Sequence, residues 1–431
     1  PGQSHSNIWF GDMSTPDNVG PTTAGGSIWL KEDIKAGVAS EPFLFNGWDN
    51  RCAWIANRSN KPAVITFEVD KKGDNKWSEL RKVEVGAQTS IFVPFETTDQ
   101  GEWIRATSNA DINADLTFVL AEKETRTTEP DAIFNGLATI KQAGDSEGLM
   151  YGLPDNRRAL GILATTADGK SYYELDGAMK LQAKDDAEMA EYIADKFAIP
   201  EDVVEIDKGS ILIVDAKDRR WRLPLGHDKY NEMISAEKLR LCREVATERD
   251  LFSCHGTFYE LPAENADGYA KIRPVSSHKF AINDYASYRG MMMFTGIDHS
   301  KAEENAHIVL SEDGKAAVWA GAIDDLWKMG KPVGHGGPWV ETPVKAGEPS
   351  DAFLIGFYDK RTMQLTHSNS GDATFTVEVD PTGDGQWFKY GDFKVTPGQT
   401  FEHRFPQSFQ ARWIRVKVDC DTKATAWFEY K

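Results

Sequence analysis

The sequence predicts an all-β fold and, within that class, a β-propeller, seven-bladed, with one short inserted helix. Composition is the first ground. Of 431 residues, 36 are Gly and 19 are Pro, scattered among Trp-rich and Thr-rich segments, as many short strands joined by tight turns require. Apolar residues make up 40%, including 13 Trp, 22 Phe and 12 Tyr, which is enough for a buried interior and excludes global disorder. The second ground is an internal repeat. Residues 8–121 lie over 318–431 without a gap, at an offset of 310. The third is hydrophobic period. Ile65, Phe67 and Val69 alternate with Thr66 and Glu68, and Phe375, Val377 and Val379 repeat the pattern, as strands with one buried face do.

The repeat sets the order of elements. Trp9 falls on Trp319, Trp29 on Trp339, Trp77 on Trp387, and Trp103-Ile104-Arg105 on Trp413-Ile414-Arg415. The Asp-x-x-Gly-Asp segments before Trp77 and Trp387 read as hairpin turns, since Gly and Asp tolerate positive φ. Calcium is the alternative use of Asp380, Thr382 and Asp384, but the Glu that closes an EF-hand loop is absent. The middle, 122–317, carries strand-like runs at Ala159–Thr165, Ser210–Val214, Met291–Thr295 and His307–Leu310. One amphipathic helix is predicted over Ala187–Phe197, from Met189, Tyr192, Ile193 and Phe197 at helical spacing. Seven blades of about 62 residues would make 1–431 a single propeller, with homologous blade pairs at 8–121 and 318–431 and the central blades at 122–317. The rival arrangement is a pair of β-sandwich modules flanking a central β-rich region, since a sandwich takes about 100 residues.

Several functions are excluded by charge and pattern. A net charge of −18 with no basic run argues against nucleic acid. No stretch reaches the roughly 18 apolar residues of a membrane helix. The polar start, Pro1–Asn7, carries no leader, so a periplasmic or secreted protein with its signal removed is expected. The four cysteines, Cys52, Cys242, Cys254 and Cys420, lack C-x-x-C spacing and allow at most two bridges. No cofactor, nucleotide or metal signature is present. Gly144-Asp145-Ser146-Glu147-Gly148 matches a nucleophile elbow without the strand and helix that aim one, and Gly334-His335-Gly336-Gly337 runs into Pro338-Trp339 with no helix to cradle phosphate. Asn57-Arg58-Ser59 is a glycosylation triplet of a length that chance supplies.

Chemically capable side chains gather between Arg243 and Arg289, a stretch unlike either flank. The candidate catalytic residues are Glu248, Asp250, His255, Tyr259, Glu260 and His278, and the candidate substrate-binding residues are Arg243, Lys271, Arg273, Tyr288 and Arg289. In a strand reading, Lys271 and Arg273 share one face while His255, Thr257 and Tyr259 share another. An acidic, aromatic-rich β protein suggests a carbohydrate ligand, because aromatic faces pack on sugar C–H faces and carboxylates bind hydroxyls. Hydrolysis would use two carboxylates from Glu248, Asp250 and Glu260. Elimination would use Arg273 or Arg289 on a uronate carboxylate, with His255, His278 or Tyr259 taking the proton. A non-catalytic glycan-binding protein is the third reading.

The Trp-Gly-rich repeat and the runs His255-Gly256-Thr257-Phe258-Tyr259 and Lys271-Ile272-Arg273-Pro274 resemble exported seven-bladed β-propeller enzymes of glycan-degrading Bacteroidetes, with glycoside hydrolase family 145 the nearest. That resemblance implies a propeller and a plant or algal glycan containing rhamnose or uronate. It carries no catalytic histidine over, since His5 is the sole N-terminal histidine. The expectation is a monomeric, exo-acting glycan enzyme, hydrolase ahead of lyase.

Overall fold

The computed structural model describes residues 13–14, 20–141, 147–154, 158–166, 168–246 and 249–431. It is mostly β, built of small antiparallel sheets. The chain divides into two compact units. One contains Pro21–Thr125, Asp207–Pro224 and His335–Lys431, and so holds most of both repeat copies; the other is formed chiefly by Arg126–Ile206 and Leu225–Gly334.

The first copy of the repeat makes two four-stranded sheets; the second makes one four-stranded sheet and supplies four strands of a seven-stranded one. In the first copy one sheet runs Thr23–Ile34, Ile112–Ala121, Asn50–Asn57, Thr89–Phe95, and the other runs Phe43–Leu44, Trp103–Ser108, Ala63–Asp70, Trp77–Val85. Apart from the hairpin of Ala63–Asp70 and Trp77–Val85, neighbours in these sheets are far apart in sequence, whereas a propeller blade is wound from successive strands. The copies are sandwiches, with Trp29, Phe45, Ile55, Phe67, Phe95 and Phe118 in the interior of the first. A period of two says that one face is buried but not which strand lies beside which, so blade and sandwich shared one signature.

The duplication itself persists in fine detail. Phe67/Glu68 and Val377/Glu378 carry the same register shift. Arg105 pairs with Glu68 at 2.8 Å and lies 4.2 Å over Trp77; Arg415 pairs with Glu378 at 2.7 Å and lies 4.2 Å over Trp387. The two copies also pack on each other, where Trp54 donates to the Gln410 carbonyl at 2.9 Å and meets the rings of Phe388, Tyr390 and Phe409. Residues 318–334, although inside the sequence match, belong to the other unit.

That other unit contains three four-stranded antiparallel sheets. The first is a meander of Glu147–Gly152, Leu160–Thr166, Gly169–Leu175 and Leu181–Ala183. A second meander comprises Cys242–Ala246, Arg249–Cys254, Thr257–Pro262 and Arg273–Ser277. Between them lies the sheet of Tyr285–Tyr288, Met291–Phe294, Ala317–Ala322 and Ile308–Leu310. Its alternating side chains serve two cores: Tyr285, Met292, Phe294 and Trp319 face Leu251, Phe258 and Val275, while Ala286, Tyr288, Met293 and Val318 face Met150, Ile162 and Tyr173. The predicted helix is present as α1 (Ala187–Lys196), capped by Asp186, whose side chain accepts from Met189 N–H at 2.9 Å. It buries Ile193 against the first meander. A second helix, α2 (Lys229–Ser235), was not predicted.

The inner edges of the three sheets meet at one buried carboxylate. Asp284, fully buried, accepts from Arg240 at 2.5 Å, from Arg243 at 3.0 and 3.1 Å, and from Met150 N–H at 2.9 Å. Arg243 also donates to the Met150 carbonyl at 2.8 Å. The neighbouring Asn283 side chain accepts from Gly148 N–H at 2.8 Å. Asp284→Ala leaves two guanidiniums buried without their counter-charge and is expected to destabilise the protein by about 3–5 kcal/mol. Urea denaturation followed by tryptophan fluorescence reads this directly, and a loss under about 1 kcal/mol would refute the role assigned to the carboxylate.

Candidate functional site

The second meander carries most of the residues that the sequence singled out, but it distributes them over both ends. At one end Cys254 and Thr257 flank the two-residue turn His255-Gly256, with φ of 54° and 79°. These are the positive values of a type I′ hairpin. Glycine is required at the second position, because a Cβ on Gly256 would sit 2.5 Å from the Tyr230 ring and 2.7 Å from the His278 carbonyl oxygen. His255 is buried and committed: its Nδ1 accepts from Gly226 N–H at 2.8 Å, which leaves Nε2 as donor to the Asn231 side chain, also 2.8 Å away. It thereby pins α2 and its approach to the hairpin.

His278 lies beside the same turn. Its ring stacks on Phe280 and packs at a tilt against Phe258, with centroids at 5.7 and 5.1 Å. Nδ1 accepts from Phe280 N–H at 3.1 Å, and Nε2 is buried with no hydrogen-bond partner among the described residues. Burial pushes its pKa down to about 3. Tyr259 is fully buried next to Phe252. None of the three presents a basic atom to solvent.

The other end of the meander forms a shallow groove of about 20 Å³, open to solvent, lined by Asp250, Glu260, Asp324 and Trp327 with Val245, Leu251 and Val275. Burial, with the neighbouring Glu244 carboxylate adding to it, raises the pKa of Asp250 above its ordinary value. Glu260 stands opposite Arg273 on the adjacent strand. Arg273 and Arg126 lie over the Trp327 ring at 5.0 and 5.1 Å, and Arg126 also donates to the Val275 carbonyl at 2.7 Å and the Trp327 carbonyl at 3.1 Å. Asp250 pairs with Leu261 and Glu260 with Leu251, which sets the two side chains on opposite faces of the sheet, so the groove offers the Glu260 carboxylate beside the Trp327 wall, with Asp250 and its heightened hold on a proton at the rim. That is a donor set for hydroxyl-rich ligands and for acid–base chemistry.

The remaining expected residues lie elsewhere. Arg243 is consumed by Asp284 and so has no charge to offer a substrate. Tyr288 is buried, donating to the Arg158 carbonyl at 2.6 Å, and Arg289 is exposed in the hairpin turn of the middle sheet. Lys271 ends a short 3-10 turn rather than sharing a strand face with Arg273. Glu248 lies outside the described residues, as does most of the Gly144–Gly148 motif. Asp324, Trp327 and Arg126 were missed. The first two lie inside the repeat, where they read as structural; the available signal was that 322–328 share no residue with 12–18.

No group of His, Cys, Asp and Glu among the described residues has the geometry of a metal site. The Asp380 carboxylate is filled by the backbone N–H groups of Thr382, Gly383, Asp384 and Gly385 at 2.7–3.3 Å, the hairpin turn that the sequence suggested. All four cysteines are free thiols. Asn57 of the glycosylation triplet is buried and donates to the carbonyls of Lys61, Val85 and Gly86. No described helix is long and apolar enough to cross a membrane.

No family model matches the chain, and no curated protein matches it. Among solved structures it is similar to the PBSX exported protein XepA, at 8% identity over 94% of this chain and 86% of that one, with a TM-score of 0.19. The CBM22-1–CBM22-2 tandem of Xyn10C from Paenibacillus barcinonensis gives 6% identity over 95% and 91%, with a TM-score of 0.17. Oxalate decarboxylase from Bacillus subtilis gives 12% over 96% and 68%, with a TM-score of 0.16. At such scores none of them bears on the chemistry of this chain.

The His278 environment has a measurable consequence. The folded protein holds this ring neutral, while the unfolded chain takes up a proton near the ordinary value of 6.5. Its contribution is therefore complete above pH 6.5 and is lost as pH falls toward 3. Between pH 6.5 and about 4.5, where most carboxylates stay ionised, stability should fall by up to about 1.4 kcal/mol per pH unit. His278→Phe should flatten that slope in urea titrations, and an unchanged slope would show that another group is responsible.

Proposed function

We propose that this chain is an exported or periplasmic carbohydrate-active protein that cleaves a glycosidic bond at the groove of Asp250 and Glu260. The observation that carries the reading is that Asp250, biased toward its protonated form, stands at the rim of the groove that the Glu260 carboxylate faces, one strand pairing away. Asp250 donates the proton to the leaving glycosidic oxygen, and Glu260 activates water or meets the anomeric carbon. The three stacked sheets of the central unit are blade-like in form, and so the propeller resemblance is retained for that unit alone. Elimination is the weaker reading, because His255 and His278 are buried and held to other tasks.

The test is incubation with a panel of plant and algal glycans. Release of reducing sugar without new ultraviolet absorbance is the expected result. Asp250→Asn and Glu260→Gln should each lower kcat by about 100-fold or more while leaving the melting temperature nearly unchanged. Ultraviolet absorbance from an unsaturated uronate would replace hydrolysis with elimination, and glycan binding without turnover would leave a lectin. Full activity in both variants would remove the groove from consideration.

A further inference from the structure

We propose that the outer edge of the strand Phe43–Leu44, in the first repeat copy, is a docking site for an extended basic–aromatic–basic strand of a partner protein. The sister copy defines the chemistry of the occupant. There the segment Asp207–Pro224 lays its strand Arg220–Leu223 parallel to Ala352–Leu354, with Trp221 opposite Ala352 and Arg222 opposite Phe353. Trp221 stacks on Trp413, centroids 4.6 Å apart. Both flanking arginines reach Asp351, Arg220 at 2.9 Å and Arg222 at 2.7 Å. Beneath this cover Leu354 and Trp413 are wholly buried.

The first copy keeps the receiving side of that contact. The offset of 310 carries Asp351 to Glu41, Phe353 to Phe43, Leu354 to Leu44 and Trp413 to Trp103. The register agrees, with Leu44 opposite Trp103 as Leu354 is opposite Trp413. What differs is the cover. Phe43–Leu44 is the edge of its sheet among the described residues, Leu44 is 49% exposed, Trp103 is 38% exposed, and Glu41 is exposed. Addition of a strand to such an edge is a general mode of peptide recognition, in which alternate side chains supply specificity.

One substitution shapes the site. Pro42 stands where Ala352 does, and proline has no N–H to give a ladder. Edge prolines discourage indiscriminate pairing, so recognition here falls more heavily on the Trp103 face and the Glu41 carboxylate. The acidic side chain suits cationic flanks, and the indole suits an aromatic residue between them.

The probe is a labelled synthetic peptide of this chain's own sequence from Ser210 to Leu223, titrated with the intact protein and followed by fluorescence anisotropy. Saturable binding is expected, weakened about tenfold or more by Trp103→Ala and by Glu41→Lys, and largely kept by Trp103→Phe. A peptide with Ala at its Trp and Arg positions should not bind. Absence of saturable binding overturns the proposal. Binding unchanged in both Trp103→Ala and Glu41→Lys overturns it as well, since that is what exchange into the already covered edge of the sister copy would give.

Discussion

The central unit is organised by a single desolvated ion cluster. Asp284 has no exposed surface, and it holds Arg240, Arg243 and the backbone of Met150 at once, so three sheets share one carboxylate at their inner edges. Two guanidiniums and one carboxylate taken from water are each costly alone, and only close mutual contact with full hydrogen bonding offsets that cost. The arrangement fixes relative position as well as charge. Arg243 begins the second meander, Met150 lies in the first, and Asp284 leads into the middle sheet. Because the next strand of the second meander pairs Arg243 with Leu251 and Glu244 with Asp250, the position of the groove carboxylate is inherited from the ion cluster through one strand pairing.

What was legible in the sequence was local. The alternation at Ile65–Val69, the Asp-led hairpin turns, the helix over Ala187–Phe197 and four central strands all depend on side-chain period or turn chemistry within a few residues, and each has its place in the structure. The offset of 310 was also visible, because duplicated residues keep their partners: Arg105 with Glu68 and Trp77, Arg415 with Glu378 and Trp387. Strand order was not visible. Whether Ile112–Ala121 pairs with Thr23–Ile34 or with its chain neighbour depends on long-range closure, and an alternating strand carries no mark of it.

The sites were legible in part for a related reason. Arg243, His255 and Tyr288 are residue types that catalyse or bind, and they are equally the types that satisfy buried backbone groups. The Met150 carbonyl, the Gly226 amide and the Arg158 carbonyl each claim one of them. His255 in particular occupies a left-handed turn position that histidine tolerates better than most residues, so its chemistry and its conformation were both available to explain its presence. Asp250 and Glu260, by contrast, line a solvent-open groove, and so stay candidates. Asp324 and Trp327 were hidden by the repeat, which made their segment read as a copy when it is the stretch where the copies diverge.

That divergence is where a duplicated protein has room to differ between its halves. The two sandwiches share a core, and core residues at matched positions are held by packing on both sides. Edges are not so held. In the second copy the edge Ala352–Leu354 gained a hairpin from the segment Asp207–Pro224, with Arg222 ion-paired to Asp207 and Asp351 beneath the Trp221–Trp413 stack. Only after such a cover forms can the pair Leu354 and Trp413 reach zero exposure. The first copy retains Leu44 and Trp103 in the same register without the cover, together with a proline that makes the edge less adhesive. An apolar pair left half in water forgoes the burial that its counterpart has, and the edge proline limits indiscriminate pairing of the strand that carries it.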